Sequence, residues 1–221
     1  MNENRKIKAV LFDFDGTLMN TNDIIFRSWY HTYDTIGMTA PDDTEIAWTF
    51  GEPLRETMAR IFPDRDAQEM VAIYRSYQNE IFKGTVNMFP RVDRMVMDLK
   101  AAGFRTAIVT SRLWSLLTPA VYNFSMSDEF DTIVSASDTK AHKPDPTCLF
   151  LACEKLGISP EEAIYVGDSR FDIHCAKNAG MKSVLVGWTV CLPPEKRSGL
   201  YLPDFVISEP EELIDIVCNI N

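Results

Sequence analysis

Two rhythms of hydrophobic and polar positions divide this chain. Val10, Leu11 and Phe12 form a short unbroken apolar run, which predicts the end of a buried parallel strand. Ile24, Ile25, Ser28, Trp29, Thr32 and Ile36 then recur at helical spacing, with Asn22 or Asp23 placed to cap the first turn. Pro41, Gly51, Pro53 and Pro63 punctuate short segments. A longer helical pattern follows from about Asp66 to Phe82, with Met70, Ile73, Tyr74, Tyr77 and Ile81 on one side. No convincing strand pattern occurs between Thr17 and Phe89. From Phe104 strand and helix patterns alternate. Strands are predicted at Thr106–Val109, Thr132–Val134, Ala163–Val166 and Ser183–Val186, with a weaker one at Phe205–Ile207. Helical patterns fall near Val92–Ala102, Trp114–Phe124, Thr147–Leu156, Asp172–Ala179 and Glu211–Val217. Such alternation predicts an α/β fold with a parallel sheet covered by helices on both faces. The first strand precedes the helical stretch and the others follow it. The expected organisation is therefore a discontinuous core, residues 1–16 and 90–221, interrupted by an all-helical insert, residues 17–89.

Composition narrows the partners. The 221 residues, 46% hydrophobic and 24% charged, suffice for a full core and are ordinary for a globular protein. A formal net charge of −10 argues against nucleic-acid and anionic-membrane partners, both of which need a basic surface. An anionic substrate would need a cation and a few local Lys or Arg residues to overcome that background. The five cysteines form no C-x-x-C pair, which predicts idle thiols in a reducing compartment. The opening MNENRKIKAV has no apolar stretch of signal-peptide length, and no run approaches a membrane span. A cytoplasmic protein is expected, with monomer and homodimer both open.

Four segments carry candidate chemistry. In Asp13-Phe14-Asp15-Gly16-Thr17, two acids stand at a strand's carboxyl end, where open α/β sheets place their ligands. Carboxylates held so close repel unless a cation or a shared proton relieves them, and Mg²⁺ is a suitably hard partner. Thr110-Ser111 ends another apolar strand with hydroxyls able to hold a phosphate oxygen. Lys143, in His142-Lys143-Pro144-Asp145-Pro146, can neutralise both a nucleophilic carboxylate and the phosphate it attacks. Gly167-Asp168-Ser169-Arg170-Phe171-Asp172 offers two acids four apart at a further strand end. Taken singly, each has an ordinary structural use: a helix cap, a solvated lysine, a surface acid. Together and in this order they are hard to explain by structural needs.

In that order the motifs DFDGT, VTS, K-P and GDSRFD resemble the four-motif signature of the haloacid-dehalogenase superfamily of phosphohydrolases, over nearly the whole chain. The resemblance implies a Rossmann-like core with a helical cap inserted after the first motif. It implies Asp13 as the nucleophile that takes the phosphoryl group. Asp15 would be the general acid/base, its main-chain carbonyl also binding Mg²⁺. Thr110, with Ser111, would bind the transferring phosphate, and Lys143 would steady nucleophile and phosphate. Asp168 would ligate Mg²⁺, with Asp172 supporting that site. Asp15 favours phosphoryl chemistry, because dehalogenases of the superfamily lack a second acid. Mutases of the β-phosphoglucomutase type usually carry a histidine on the first cap helix and a valine after the glycine; here Ile25 and Thr17 stand instead. The run Asn20-Thr21-Asn22 resembles the inorganic pyrophosphatase branch, whereas phosphoglycolate phosphatases have an acid in place of Asn20. The expected substrate is a small phosphorylated metabolite or pyrophosphate, with phosphoglycolate- or sugar-phosphate-type activity as the alternative. Glu52-Pro53 departs from the pyrophosphatase pattern, since an acid at the entrance is awkward for pyrophosphate. Arg55, beside the loop Gly51–Arg55, is a candidate for contacting the substrate's non-transferred end. The insert is itself acidic, with six Lys/Arg against eleven Asp/Glu.

Overall fold

The computed structural model describes residues 6–82, 86–115, 117 and 127–220. Six parallel strands, β1 (Ala9–Phe12), β2 (Arg105–Val109), β3 (Thr132–Val134), β4 (Ala163–Gly167), β5 (Lys182–Val186) and β6 (Phe205–Ile207), form one sheet in the order β3-β2-β1-β4-β5-β6. The chain steps outward from β1 through β2 to β3, then crosses back to lay β4 on the other side of β1. That reversal brings the carboxyl ends of β1, β2 and β4 together, the crevice where such sheets bind ligands.

Strand residues alternate between two apolar layers, as a period of two requires. Val10, Phe12, Ile108, Ile164 and Val184 face α5 (Val92–Ala101) and α8 (Glu212–Asn219). Leu11, Val109, Ala163 and Tyr165 face α6 (Thr147–Leu156) and α7 (Arg170–Ala179). The fold is α/β and Rossmann-like, with a helical cap inserted between β1 and α5. The cap comprises α1 (Asn22–Thr35), α2 (Asp43–Ala47), α3 (Leu54–Ile61) and α4 (Ala67–Ile81). It has its own core, in which the Trp29 and Tyr74 rings meet edge to face at 5.5 Å. Among the described residues, the only β-pairing between β1 and α5 is in isolated bridges. There Met19 pairs with Met88, the Asn20 N–H donates to the Asn87 carbonyl (2.9 Å), and the Phe89 N–H donates to the Leu18 carbonyl (3.1 Å). The two crossings between core and cap are thus clasped together.

Three local expectations are corrected. Helix α1 is preceded by Thr21 in the cap position, with no side-chain capping bond; the clasp fixes the backbone there, and neither Asn22 nor Asp23 serves as cap. Helix α7 starts at Arg170, two residues earlier than the apolar pattern indicates, because Ser169 and Asp172 form a reciprocal capping box. The buried stripe of α4 is Met70, Tyr74 and Gln78, while Ile73, Tyr77 and Ile81 are half-buried. Of the helix expected over Trp114–Phe124, Trp114, Ser115 and Leu117 are helical, and residues 116 and 118–124 lie outside the described residues. No helix among the described residues is long and apolar enough to cross a membrane.

Asp66 caps α4 by accepting the Glu69 N–H at 2.8 Å. Asp66→Ala is expected to lower stability by about 1 kcal/mol, read as a lower urea midpoint at unchanged slope; an unchanged midpoint would deny the cap that role.

Candidate active site

The site begins where β1 ends. Asp13 stays in the sheet, its N–H donating to the Val166 carbonyl at 2.8 Å. Gly16 then turns the chain with φ +73°, and a Cβ there would fall 2.2 Å from Asp168 Oδ2. Glycine is required on both counts. From β4 and the first turn of α7 come Asp168 and Asp172. Oxygens of Asp13, Asp168 and Asp172 lie within 4.8 Å of one another, and all three residues are buried.

One ammonium serves this trio. Lys143 Nζ is 2.9 Å from Asp13 Oδ1 and 2.8 Å from Asp172 Oδ1, and the lysine is 4% exposed. Asp172 is fully engaged: Tyr165 Oη also lies 3.1 Å from its Oδ1, and its Oδ2 accepts from the Ser169 N–H (3.0 Å) and hydroxyl (2.6 Å). It therefore orients Lys143 and has no oxygen left over. Among the described residues, Asp168 has only the Cys191 thiol, 3.2 Å from its Oδ2. Burial, partly offset by Lys143 and reinforced by Asp172, pushes Asp13 up to about 7. Burial, with Asp172 and Asp13 adding to it, raises Asp168 well above the carboxylate range. Burial alone would lower Lys143, but Asp13 and Asp172 outweigh it and hold the ammonium charged. Two crowded carboxylates with free oxygens and no full counter-charge are a fit for a hard divalent cation.

Asp15 stands apart from the trio. The Arg112 guanidinium grips it with two bonds, Nε to Oδ2 at 3.0 Å and Nη2 to Oδ1 at 2.6 Å. Burial raises the Asp15 carboxyl, yet Arg112 outweighs that and holds it below the usual range. Thr110 Oγ1 accepts the Arg112 N–H at 3.1 Å, tying the Thr110 hydroxyl to the same residue.

The cap closes over this floor. Gly51, at φ +80°, lies so close to α7 that a Cβ would meet Ser169 Oγ at 2.7 Å. Arg170 Nη1 donates to the Trp48 carbonyl at 2.6 Å, and the Trp48 ring has the Arg170 guanidinium and the Lys196 ammonium each at 4.0 Å. Between floor and roof lies a cavity of about 130 Å³. Asp13, Asp15, Thr110, Ser111, Lys143, Asp168 and Asp172 line it from the core, and Ile25, Trp29, Phe50, Tyr74, Arg75 and Gln78 from the cap.

Residues 10–186 match the haloacid dehalogenase-like hydrolase family. A Clostridium perfringens protein bearing the name PpaX is 40% identical over 97% of this chain and 99% of its own. Pyrophosphatase PpaX of Bacillus velezensis is 34% identical over 96% and 97%. The chain belongs to the haloacid dehalogenase-like hydrolases. A haloacid dehalogenase-like hydrolase from Streptococcus pneumoniae, 26% identical, superposes with a TM-score of 0.82 over 96% of this chain and 98% of that one.

Within this family fold, one candidate is not brought to the site. Arg55 is exposed on α3 and does not line the cavity; the buried positions of that helix are Thr57 and Met58. Two cations that the motifs did not reveal, Arg112 and Arg75, line it instead. Arg112 had a signal, as a basic residue directly after Thr110-Ser111 in an acidic chain. Arg75 had a weaker one, Gln78 interrupting an apolar stripe three residues later. Glu52 lines the cavity with its carboxylate already taken by Arg60 (2.5 Å) and the Thr57 hydroxyl (3.0 Å), which neutralises the acid at the entrance.

The trio predicts opposite signs for two isosteric changes in metal-free protein at pH 8. A carboxyl raised by folding contributes stability that is lost as pH rises above its unfolded value, so Asp168 costs folding free energy at this pH. Asp168→Asn should raise the urea midpoint. Asp172→Asn should lower stability by about 3 kcal/mol, because it strips a partner from a buried pair. Equal signs would show that like-charge crowding does not govern the site.

Proposed function

We propose that this family member is a Mg²⁺-dependent phosphohydrolase that cleaves pyrophosphate or a comparably small phosphorylated metabolite through an aspartyl phosphate on Asp13. In this reading residues 17–89 are the cap and residues 1–16 and 90–221 the catalytic core. The observation that carries it is the meeting of Asp13, Asp15, Thr110, Lys143 and Asp168 in one cavity.

The steps use this chain's own groups. Asp13 attacks phosphorus while Asp15, which must first be released from the Arg112 fork and take up a proton, delivers that proton to the departing oxygen, so the P–O bond breaks as the aspartyl–phosphate bond forms. Asp15, now a carboxylate, takes a proton from water, whose oxygen displaces phosphate and restores Asp13. Lys143 holds Asp13 in place and offsets its charge, and the Thr110 and Ser111 hydroxyls hold phosphate oxygens. Asp13, Asp168 and the Asp15 main-chain carbonyl would hold Mg²⁺, which neutralises charge on the nucleophile and the phosphate. The closed cap excludes stray water and opens to exchange substrate and product.

Two features support a pyrophosphatase over its alternatives. The cavity is well below the ~300–1,000 Å³ of sites for drug-sized ligands, which favours compact phosphates over sugars. Ile25 lines it with no proton to give or take, which favours hydrolysis over a mutase cycle. The relatives bearing the PpaX name point the same way.

With Mg²⁺, kcat/KM should be highest for pyrophosphate in a panel with phosphoglycolate, sugar phosphates and an aryl phosphate; a higher value for phosphoglycolate or a sugar phosphate would shift the assignment to that branch. Asp13→Asn should retain less than about a hundredth of the activity while folding normally, a loss on the scale of several kcal/mol expected for a nucleophile. Exhaustive chelation should abolish turnover and Mg²⁺ should restore it, with Ca²⁺ inhibitory because it takes more ligands at longer distances. Full activity in chelator would refute the metal assignment.

A further inference from the structure

Among the described residues three cations face the cavity, and one of them has no ion-pair partner. Lys143 sits between two carboxylates, and Arg112 spends its fork on Asp15. Arg75, on α4 in the cap, forms no ion pair among the described residues. Its Nη1 donates to Gln78 Oε1 at 2.6 Å, a neutral acceptor. Gln78 is itself buried, 3% exposed, with its amide nitrogen 3.4 Å from the Tyr74 hydroxyl. A polar side chain on the buried stripe of α4 is costly unless it is hydrogen-bonded, and here its bond fixes the direction of a guanidinium.

From this geometry we infer that Arg75 is the specificity residue for a second anionic group on the substrate, beyond the phosphoryl that Asp13 accepts. The inference rests on the phosphohydrolase reading of the floor. In-line displacement puts the leaving oxygen on the side of phosphorus away from Asp13, so the remainder of the substrate extends from the floor toward the cap. A guanidinium offers five donors in a planar fork suited to phosphate or carboxylate, and Arg75 uses one on Gln78. Burial and the nearby Arg112 both disfavour its charge in the free protein, a cost an incoming anion relieves. The second phosphoryl of pyrophosphate, or a carboxylate or phosphate a few atoms from the transferred group, is the chemistry this position takes. Arg55, exposed on α3, does not contact it.

The test compares wild type, Arg75→Gln, Arg75→Lys and, as a surface control, Arg55→Ala. The first readout is calorimetric affinity for imidodiphosphate and for orthophosphate with Mg²⁺ present, which requires no turnover. The second is the ratio of kcat/KM for pyrophosphate to that for p-nitrophenyl phosphate. Arg75→Gln should lower the imidodiphosphate-to-orthophosphate affinity ratio and the kinetic ratio by at least about tenfold, the effect of ~1.4 kcal/mol. Arg75→Lys should recover part of that loss and Arg55→Ala none of the effect, with melting temperatures reported for all four proteins. Unchanged ratios in Arg75→Gln, or the same loss in Arg55→Ala, would overturn the assignment. If the wild type binds both anions but hydrolyses neither pyrophosphate nor p-nitrophenyl phosphate, the phosphohydrolase reading fails while the affinity ratios still decide the role of Arg75.

Discussion

Three buried carboxylates sharing one ammonium constrain the rest of this molecule. Asp13, Asp168 and Asp172 are driven together by the return of β4 to the side of β1, and Lys143 neutralises only part of what results. Small residues around them follow from the crowding. A Cβ at Gly16 would strike the Asp168 carboxylate, and one at Gly167 would come within 2.3 Å of Asp172 Cβ. The second layer follows too: Ser169 and Tyr165 occupy the remaining hydrogen-bonding capacity of Asp172, so that acid is fixed and Asp13 and Asp168 keep the unmet charge. A buried set with one saturated member and two unsatisfied ones is suited to a hard cation.

The second acid of the first motif is separated from that field by its own partner. Arg112 forms two bonds to Asp15 and lies between the Phe14 and Phe82 rings, 5.9 and 4.8 Å from their centroids. The two neighbouring aspartates thereby differ in opposite directions, Asp13 raised and Asp15 lowered, within a single turn of chain. Those directions are the reverse of what a nucleophile and a proton donor need, so in the proposed reaction a cation beside Asp13 and release of Asp15 from Arg112 have to precede the chemistry.

Closure of the cap depends on different physics. Gly51 presses on Ser169, the residue that caps α7 and holds Asp172, so the cap loop and the carboxylate network meet at one side chain. The Trp48 ring between Arg170 and Lys196 adds cation–π attraction at the same seam. The two hydrophobic cores also meet across it: Ile24, Ile81 and Phe82 of the cap pack with the cluster under the sheet, and Cys191 packs with the cluster of the cap. The acidity of the chain, −10 overall, is countered at the cavity by three cations rather than by a basic surface.

The strands, the order of helical and mixed segments and the residues at strand ends were legible in the sequence. Each is a local property: an apolar run, a period, a glycine after two acids. Even Phe205–Ile207, a weak signal, is the edge strand β6, where only one neighbour constrains the pattern. What the sequence could not supply was long-range pairing. Nothing local in Arg112 announces a bond to Asp15, 97 residues earlier, and nothing in Arg75 shows that α4 turns it into the cavity while α3 leaves Arg55 outside. Helix starts also moved, at Thr21 because a distant strand segment clasps the backbone and at Arg170 because Ser169 and Asp172 cap each other. Sequence determined which candidate groups stand at the strand ends. Tertiary structure decided which charges they face, because charge partners are set by distances that only the folded chain creates.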